Sequence, residues 1–122
     1  MARVAIVLIV DDDEDIGDAV ALALTDDGHV GIAARTSDDA LALASSELPD
    51  LILVDYNMPG VDTAELIAGL RRAAPAVRIV LCTGDALEDE RVHAVGGDAL
   101  LRKPFSIEAV VELLQDAVRP EA

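Results

Sequence analysis

Residues 51–60 read LILVDYNMPG, and this stretch decides the fold. Four consecutive apolar residues lie between Pro49-Asp50 and Pro59-Gly60, so the pattern predicts a short strand that is buried on both faces. Asp55 ends this strand. A buried carboxylate is costly unless a partner compensates its charge, so Asp55 either leaves the sheet at a solvated loop or has a function.

The composition indicates one small domain with an aliphatic core. A length of 122 residues suits a single domain over residues 1–122, and we expect no output domain in it. Hydrophobic residues make up 52%, aromatic residues only 2%, and Trp is absent, so Ala, Val, Leu and Ile must build the core. The net charge of -15 repels nucleic acid and anionic membranes, so we expect no direct contact with either.

The chain shows no sign of a targeting or membrane segment. No apolar run is long enough for a membrane span, and the amino terminus lacks the pattern of a signal peptide. The single cysteine, Cys82, cannot form an internal disulfide, so a cytoplasmic location is the default expectation. Because Cys82 lies in an apolar run, we expect it to be a small buried hydrophobe.

Strand and helix patterns alternate along the chain. Apolar runs predict strands at residues 4–10, 30–34, 51–55, 77–82 and 99–101. Helical spacing predicts five helices, which begin within the acidic run 11–15, after Thr36, after Asp62, at residue 87 and after Ser106. This alternation predicts an α/β fold, an open parallel sheet with helices on both faces.

Polar side chains follow four of the five predicted strands. Asp11 and Asp12 follow the first strand, Asp55 ends the third, Thr83 ends the fourth, and Lys103 follows the fifth. Ligands of open α/β sheets bind beyond the carboxyl ends of the strands. We therefore expect these side chains to form one site.

The three aspartates favour a hard cation. Like charges at close range raise one another's pKa unless a cation lies among them, and Mg²⁺ prefers oxygen ligands. Asn57 could add its backbone carbonyl as a further ligand. A carboxylate beside Mg²⁺ can attack phosphorus and form an aspartyl phosphate, for which Asp55 is the candidate nucleophile.

The remaining site residues suit the stabilisation of a phosphoryl group. The Lys103 ammonium and the Thr83 hydroxyl would stabilise charge on the phosphoryl oxygens. Gly84 leaves room for the incoming group. Without a phosphoryl group, Lys103 can form an ion pair with Asp55.

The chain resembles the receiver domains of bacterial two-component response regulators over essentially its whole length. The matching segments are LIVDDD at residues 8–13, VDYNMPG at 54–60, CTG at 82–84 and LRKPF at 101–105. The resemblance implies a flavodoxin-like, doubly wound five-stranded sheet of order 2-1-3-4-5 with five helices. It also implies that Asp55 is phosphorylated by a sensor histidine kinase or a histidine phosphotransfer protein, with output through protein–protein contacts.

The resemblance also implies a role for each site residue. Asp12 would bind Mg²⁺ directly and Asp11 mainly through water. Thr83 would move toward the phosphoryl group. The bond between Lys103 and Pro104 would be cis, as is usual in the family.

Three features depart from the family pattern. The position three residues before the lysine usually holds an aromatic ring that moves with the threonine, and here it is Leu100. The family's Asp-Gly after the phosphorylation loop is Asp62-Thr63. Residues 96–99 follow the usual pattern only loosely, and the charges typical of DNA-binding receiver dimers are not evident near the fourth helix.

Other interpretations stay open beside this one. The same residue types occur in Mg²⁺-dependent phosphomonoesterases of the haloacid dehalogenase type, although those take the nucleophile from the first strand. A degenerate receiver that serves as a constitutive scaffold is a third possibility. Asp13, Glu14 and Asp15 fit a solvated helix start, while His29 and His93 fit surface positions. Tyr56 could pack the loop or shield the phosphoryl group from water.

Overall fold

The described residues form one five-stranded sheet and five helices. The computed structural model describes residues 4–84 and 89–117, apart from the side chains of residues 89 and 115–117. The elements in chain order are β1 (Ile6–Val10), α1 (Glu14–Asp26), β2 (Val30–Ala34), α2 (Ser37–Glu47), β3 (Leu51–Asp55), α3 (Thr63–Ala73), β4 (Arg78–Thr83), α4 (Asp89–Ala94), β5 (Ala99–Arg102) and α5 (Ile107–Ala117).

All strand pairs in the sheet are parallel. The spatial order is β2-β1-β3-β4-β5, so the predicted flavodoxin-like topology is confirmed. β3 lies at the centre, and each of its five residues is buried. This burial explains why residues 51–54 are apolar without alternation.

Two hydrophobic cores lie on opposite faces of the sheet. Alternate β3 residues point into them, Ile52 and Val54 into one, Leu51 and Leu53 into the other. Helices α2, α3 and α4 close the first core with the buried residues Ala40, Ala44, Leu66, Ile67, Leu70 and Val92. Helices α1 and α5 close the second core with Leu24, Val110 and Leu114.

Small residues allow helices to approach the sheet closely. A Cβ atom added at Gly31 of β2 would lie 2.5 Å from the backbone oxygen of Ala21 in α1. Real Cβ atoms do not come so near a backbone atom, so only glycine fits at this position. The contact shows how a core with so few aromatic residues can still be close-packed.

The predicted helix starts are confirmed at four N-caps. The side chains of Asp13, Thr36 and Asp62 accept hydrogen bonds from backbone N–H groups in the first turns of α1, α2 and α3. The Ser106 hydroxyl likewise accepts from the N–H of Ala109. These bonds satisfy amides that would otherwise lack a partner inside the helix.

Two local predictions differ from the structure, and two predicted helix residues lie outside the described range. Strand pairing begins at Ile6, so Val4 lies outside β1 and is 56% exposed. The surface interpretation of His29 was wrong, because its side chain is only 17% exposed and its Nδ1 accepts a hydrogen bond of 3.1 Å from the N–H of Ala5. α4 begins at Asp89 within the described range, and the predicted helix residues 87 and 118 lie outside that range.

The lengths of the described helices bear on whether the chain could cross a membrane. Across 4–84 and 89–117, no helix combines the length and hydrophobicity that a bilayer span requires.

Candidate functional site

The candidate site lies at the carboxyl edge of the sheet, where the predicted residues meet. Asp55 is the last residue of β3 and Thr83 the last of β4, while Asp11 directly follows β1. Backbone hydrogen bonds extend the sheet by one residue, because the N–H of Asp11 donates to Ala34 O at 3.0 Å and that of Lys103 to Thr83 O at 2.9 Å. Parallel pairing therefore fixes the backbones of these residues side by side.

Three carboxylates form the acidic part of the site. One oxygen from each of Asp11, Asp12 and Asp55 lies within 4.8 Å of the others. Asp11 and Asp55 are 4% and 6% exposed, whereas Asp12 is exposed and opens the cluster to solvent. An all-oxygen cluster with one open side is the kind of donor set that suits Mg²⁺.

The electrostatics of Asp55 support this fit. Burial raises the pKa of Asp55 above its ordinary value, and the charges of Asp11 and Asp12 act in the same direction. The N–H of Asn57 and the ammonium of Lys103 lower the pKa, but they do not outweigh the burial and the negative neighbours. The cluster thus carries more negative charge than the protein itself neutralises, and a bound cation could neutralise it.

Lys103 brings the positive charge of the site. Its Nζ lies 2.9 Å from Asp11 Oδ2 and 3.5 Å from Asp55 Oδ1. Burial opposes the charge of the ammonium, yet the hydrogen bond to Asp11 and the charge of Asp55 raise its pKa overall. The expected ion pair with Asp55 is present, but the shorter contact is with Asp11.

The amide of Asn57 links two of the site residues. Its backbone N–H donates to Asp55 Oδ1 at 3.1 Å, and its side-chain Nδ2 donates to Thr83 Oγ1 at 2.9 Å. Thr83 has no exposed surface. The sequence did not predict this side-chain bond, because nothing in the residue spacing indicates a contact across 26 positions.

Gly84 and Pro104 lie near the ends of β4 and β5, and Leu100 lies within β5. Gly84 is exposed, and apart from its chain neighbours none of the described residues lies within 4 Å of a Cβ atom added to it. The Lys103–Pro104 peptide bond is cis, as the resemblance implied. Leu100 is half-buried against the core that α2, α3 and α4 close. Asp85, which follows Gly84 in the sequence, lies outside the described residues.

Tyr56, which directly follows β3, connects this end of the strand to α4. Its ring packs on the same core as Leu100, its N–H donates to Cys82 O at 2.9 Å, and its hydroxyl accepts a hydrogen bond of 3.2 Å from Arg91 Nε. Cys82 is buried, and burial raises the pKa of its thiol to about 12. The prediction that Cys82 is a small buried hydrophobe is confirmed by its burial. A thiol with a raised pKa forms little thiolate at neutral pH.

The fold and the strand-end carboxylates define the class to which the chain belongs. The model of the response regulator receiver domain matches residues 7–115. The chain therefore belongs to the family of response regulator receiver domains, the signalling domains of two-component systems, which are generally not turnover enzymes.

Individual relatives agree with this assignment. The chain is 34% identical over 115 residues to the probable transcriptional regulatory protein TcrX of Mycobacterium tuberculosis, covering 93% of this chain and 49% of the relative. It is 34% identical over 117 residues to the phosphate regulon transcriptional regulatory protein PhoB of Pseudomonas aeruginosa, covering 93% and 51%. The chain thus spans about half the length of these two curated relatives.

Two solved structures share this fold over nearly their whole chains. Chemotaxis protein CheY4 of Vibrio cholerae, crystallised at low pH, superposes with a TM-score of 0.84 at 30% identity, covering 95% of this chain and 100% of that one. A receiver domain protein from Methanospirillum hungatei superposes with a TM-score of 0.81 at 27% identity, covering 93% of each chain.

Proposed function

We propose that Asp55 accepts a phosphoryl group from the phosphohistidine of a sensor histidine kinase or a histidine phosphotransfer protein in a Mg²⁺-dependent reaction. The observation that carries this proposal is the convergence of Asp11, Asp12 and Lys103 on Asp55. A nucleophilic carboxylate, a cation-binding donor set and an ammonium group are the parts that phosphoryl transfer to a carboxylate requires.

In the proposed reaction, a carboxylate oxygen of Asp55 forms a bond to phosphorus as the bond from phosphorus to the histidine nitrogen breaks. The N–H of Asn57 holds the carboxylate in one orientation for this attack. Asp11, Asp12, Asp55 and the backbone carbonyl of Asn57 would hold Mg²⁺, which when bound neutralises negative charge on the phosphoryl oxygens.

Residues at the carboxyl ends of β4 and β5 would stabilise the transferred group. The Lys103 ammonium, which contacts Asp11 and Asp55, can turn to a phosphoryl oxygen without leaving the site. The Thr83 hydroxyl would donate to a second oxygen, and Gly84 supplies open space. Because Lys103 is already held by two carboxylates, much of the orientation of the site exists before the group arrives.

The first experiment measures covalent labelling of the whole chain. Incubation with acetyl phosphate and Mg²⁺ should add the mass of one phosphoryl group, and EDTA should prevent the addition. Asp55→Asn should remove the label. The matched control is Asp18→Asn, an exposed carboxylate on α1 outside the site, which should be labelled like the wild type.

Two results would overturn this proposal. Equal labelling of the wild type and of Asp55→Asn would place the acceptor elsewhere, and no labelling of either would support the scaffold interpretation. Sustained release of phosphate from a phosphomonoester would instead favour the haloacid dehalogenase-type enzyme. Two features of the chain argue against that enzyme. Its candidate nucleophile lies on β3 and not on the first strand. Such enzymes also need acidic residues at strand ends after the lysine, whereas the exposed Glu112 lies on helix α5.

We further propose that the output is a phosphorylation-dependent protein–protein contact. The net charge of -15 favours a basic partner surface over nucleic acid. Comparing the proteins retained by the chain with and without Mg²⁺ and beryllium fluoride, a mimic of the bound phosphoryl group, tests this idea. An equal set of retained proteins in both states would contradict a phosphorylation-dependent output.

A further inference from the structure

The Asn57 side chain forms a bond that the proposed reaction does not use. Its Nδ2 donates to Thr83 Oγ1 at 2.9 Å, and the threonine is fully buried. The backbone of Thr83 is fixed as well, because it pairs with Arg102 in the sheet and its carbonyl accepts from Lys103 N. The Oγ1 atom can therefore change its position mainly by rotation about the Cα–Cβ bond.

Rotation of that bond changes what the hydroxyl can reach. A threonine hydroxyl donates one hydrogen and accepts up to two, and β-branching leaves few accessible rotamers. While the Asn57 amide donates to Oγ1, the rotamer that keeps this bond is favoured. A phosphoryl group on Asp55 would need the hydroxyl to donate toward it, so the two arrangements compete for one side chain.

We propose that Asn57 is a positioning residue that holds Thr83 in its orientation for the unphosphorylated state. This inference rests on the proposed function, because it assigns Thr83 a role toward the phosphoryl group. Asn57 is suited to the task because its N–H also donates to Asp55 Oδ1 at 3.1 Å. One residue thus contacts both the acceptor carboxylate and the threonine that responds to its modification.

The size of the effect follows from the strength of one hydrogen bond. The net contribution of such a bond corresponds to about a fivefold change in an equilibrium constant. Removing the Asn57 amide should therefore make the chain bind a phosphoryl mimic about fivefold more tightly, because Thr83 then has one hydrogen bond fewer to give up.

The test is a double-mutant cycle on the whole chain, with beryllium fluoride and Mg²⁺ as the probe. Its corners are the wild type, Asn57→Ala, Thr83→Val and the double variant. We expect Asn57→Ala to bind about fivefold more tightly than the wild type and to have no effect when Thr83 is already valine. Asn57→Leu, which removes the amide but keeps the volume, should behave as Asn57→Ala does.

A second readout separates the restraint from a general loop effect. In the free protein, the NMR signal of the Thr83 methyl group should move in Asn57→Ala toward its position in the wild type bound to beryllium fluoride. A merely structural role of Asn57 would not move it in that direction. Should Thr83→Val fail to fold, Thr83→Ala serves as the same corner of the cycle.

The outcomes distinguish the restraint from the function on which it rests. If Asn57→Ala changes the affinity equally in both Thr83 backgrounds, or leaves it unchanged, the restraint is overturned while the phosphoacceptor role stands. If the wild type does not bind beryllium fluoride at all, the proposed function fails, and the restraint falls with it.

Discussion

Replacing the Asp55 carboxylate should make the metal-free protein more stable at neutral pH. Asp55 is 6% exposed, and burial together with two negative neighbours raises its pKa. Asp55→Asn keeps an oxygen that can accept from the N–H of Asn57 and removes the buried charge. Lys103 retains its 2.9 Å contact with Asp11, so no ammonium is left without a partner.

The magnitude follows from the usual size of single-substitution effects. A substitution that relieves one unfavourable buried interaction changes the free energy of unfolding by on the order of 1 kcal/mol, so we expect a gain of about this size. For a domain of this size, that gain raises Tm by roughly 3–5 °C. Urea unfolding and thermal melts in EDTA measure both quantities.

The pH dependence provides the internal check. Because the pKa of Asp55 is raised from 3.8 in the folded state, its contribution to stability is fully present below that value and is lost as the pH rises through the folded-state pKa. The advantage of Asp55→Asn should therefore be largest at neutral pH and should narrow as the pH falls toward 4. Excess Mg²⁺ should reverse the order by stabilising only the wild type.

The matched control separates local from global charge effects. Asp18→Asn also removes one negative charge from a chain of net charge -15, but at an exposed position. It should change the free energy of unfolding by less than about 0.5 kcal/mol. A loss of stability in Asp55→Asn at pH 7 in EDTA, or a gain equal to that of the control, would refute the reasoning.

Three further substitutions test the fold. Gly31→Ala places a Cβ atom 2.5 Å from Ala21 O, so we expect a loss of about 2 kcal/mol or more in urea unfolding. Thr36→Ala removes the N-cap of α2 and should cost about 1 kcal/mol, whereas Thr36→Ser should retain most of it. Asp98→Asn weakens a half-exposed contact of 2.9 Å with Arg71 and should cost about 1 kcal/mol at pH 7. Burial opposes the charge of Asp98, but its hydrogen bonds outweigh burial and lower its pKa from 3.8. The loss of stability in Asp98→Asn should therefore be complete above pH 3.8 and should vanish as the pH falls through the folded-state pKa of Asp98.

The main features of the fold were predictable because each strand of the sheet is a local apolar run. β2 was predicted without error at Val30–Ala34, and β3 was recognised because four apolar residues without alternation mark a strand buried on both faces. The position of the site followed from topology alone. Residues at the ends of parallel strands share an edge, so Asp55, Thr83 and Lys103 had to lie near one another.

Side-chain partners across the chain were not predictable in the same way. His29 looked like a surface residue because it lies in a turn, yet it accepts from the N–H of Ala5, which is 24 positions away. The amide of Asn57 and the shorter contact of Lys103 with Asp11 also depend on rotamers. Spacing in a sequence constrains where a backbone runs, but it does not specify which of several nearby acceptors a flexible side chain will choose.

The position of Tyr56 makes the protein its own optical probe. The chain has one tyrosine and no tryptophan, so ultraviolet emission excited above the phenylalanine band comes from a single phenol ring. That ring belongs to the residue that follows Asp55 in the chain, and its hydroxyl accepts a hydrogen bond from Arg91. Events at Asp55 and movements of α4 can therefore be followed by fluorescence in unlabelled protein, without introducing a dye.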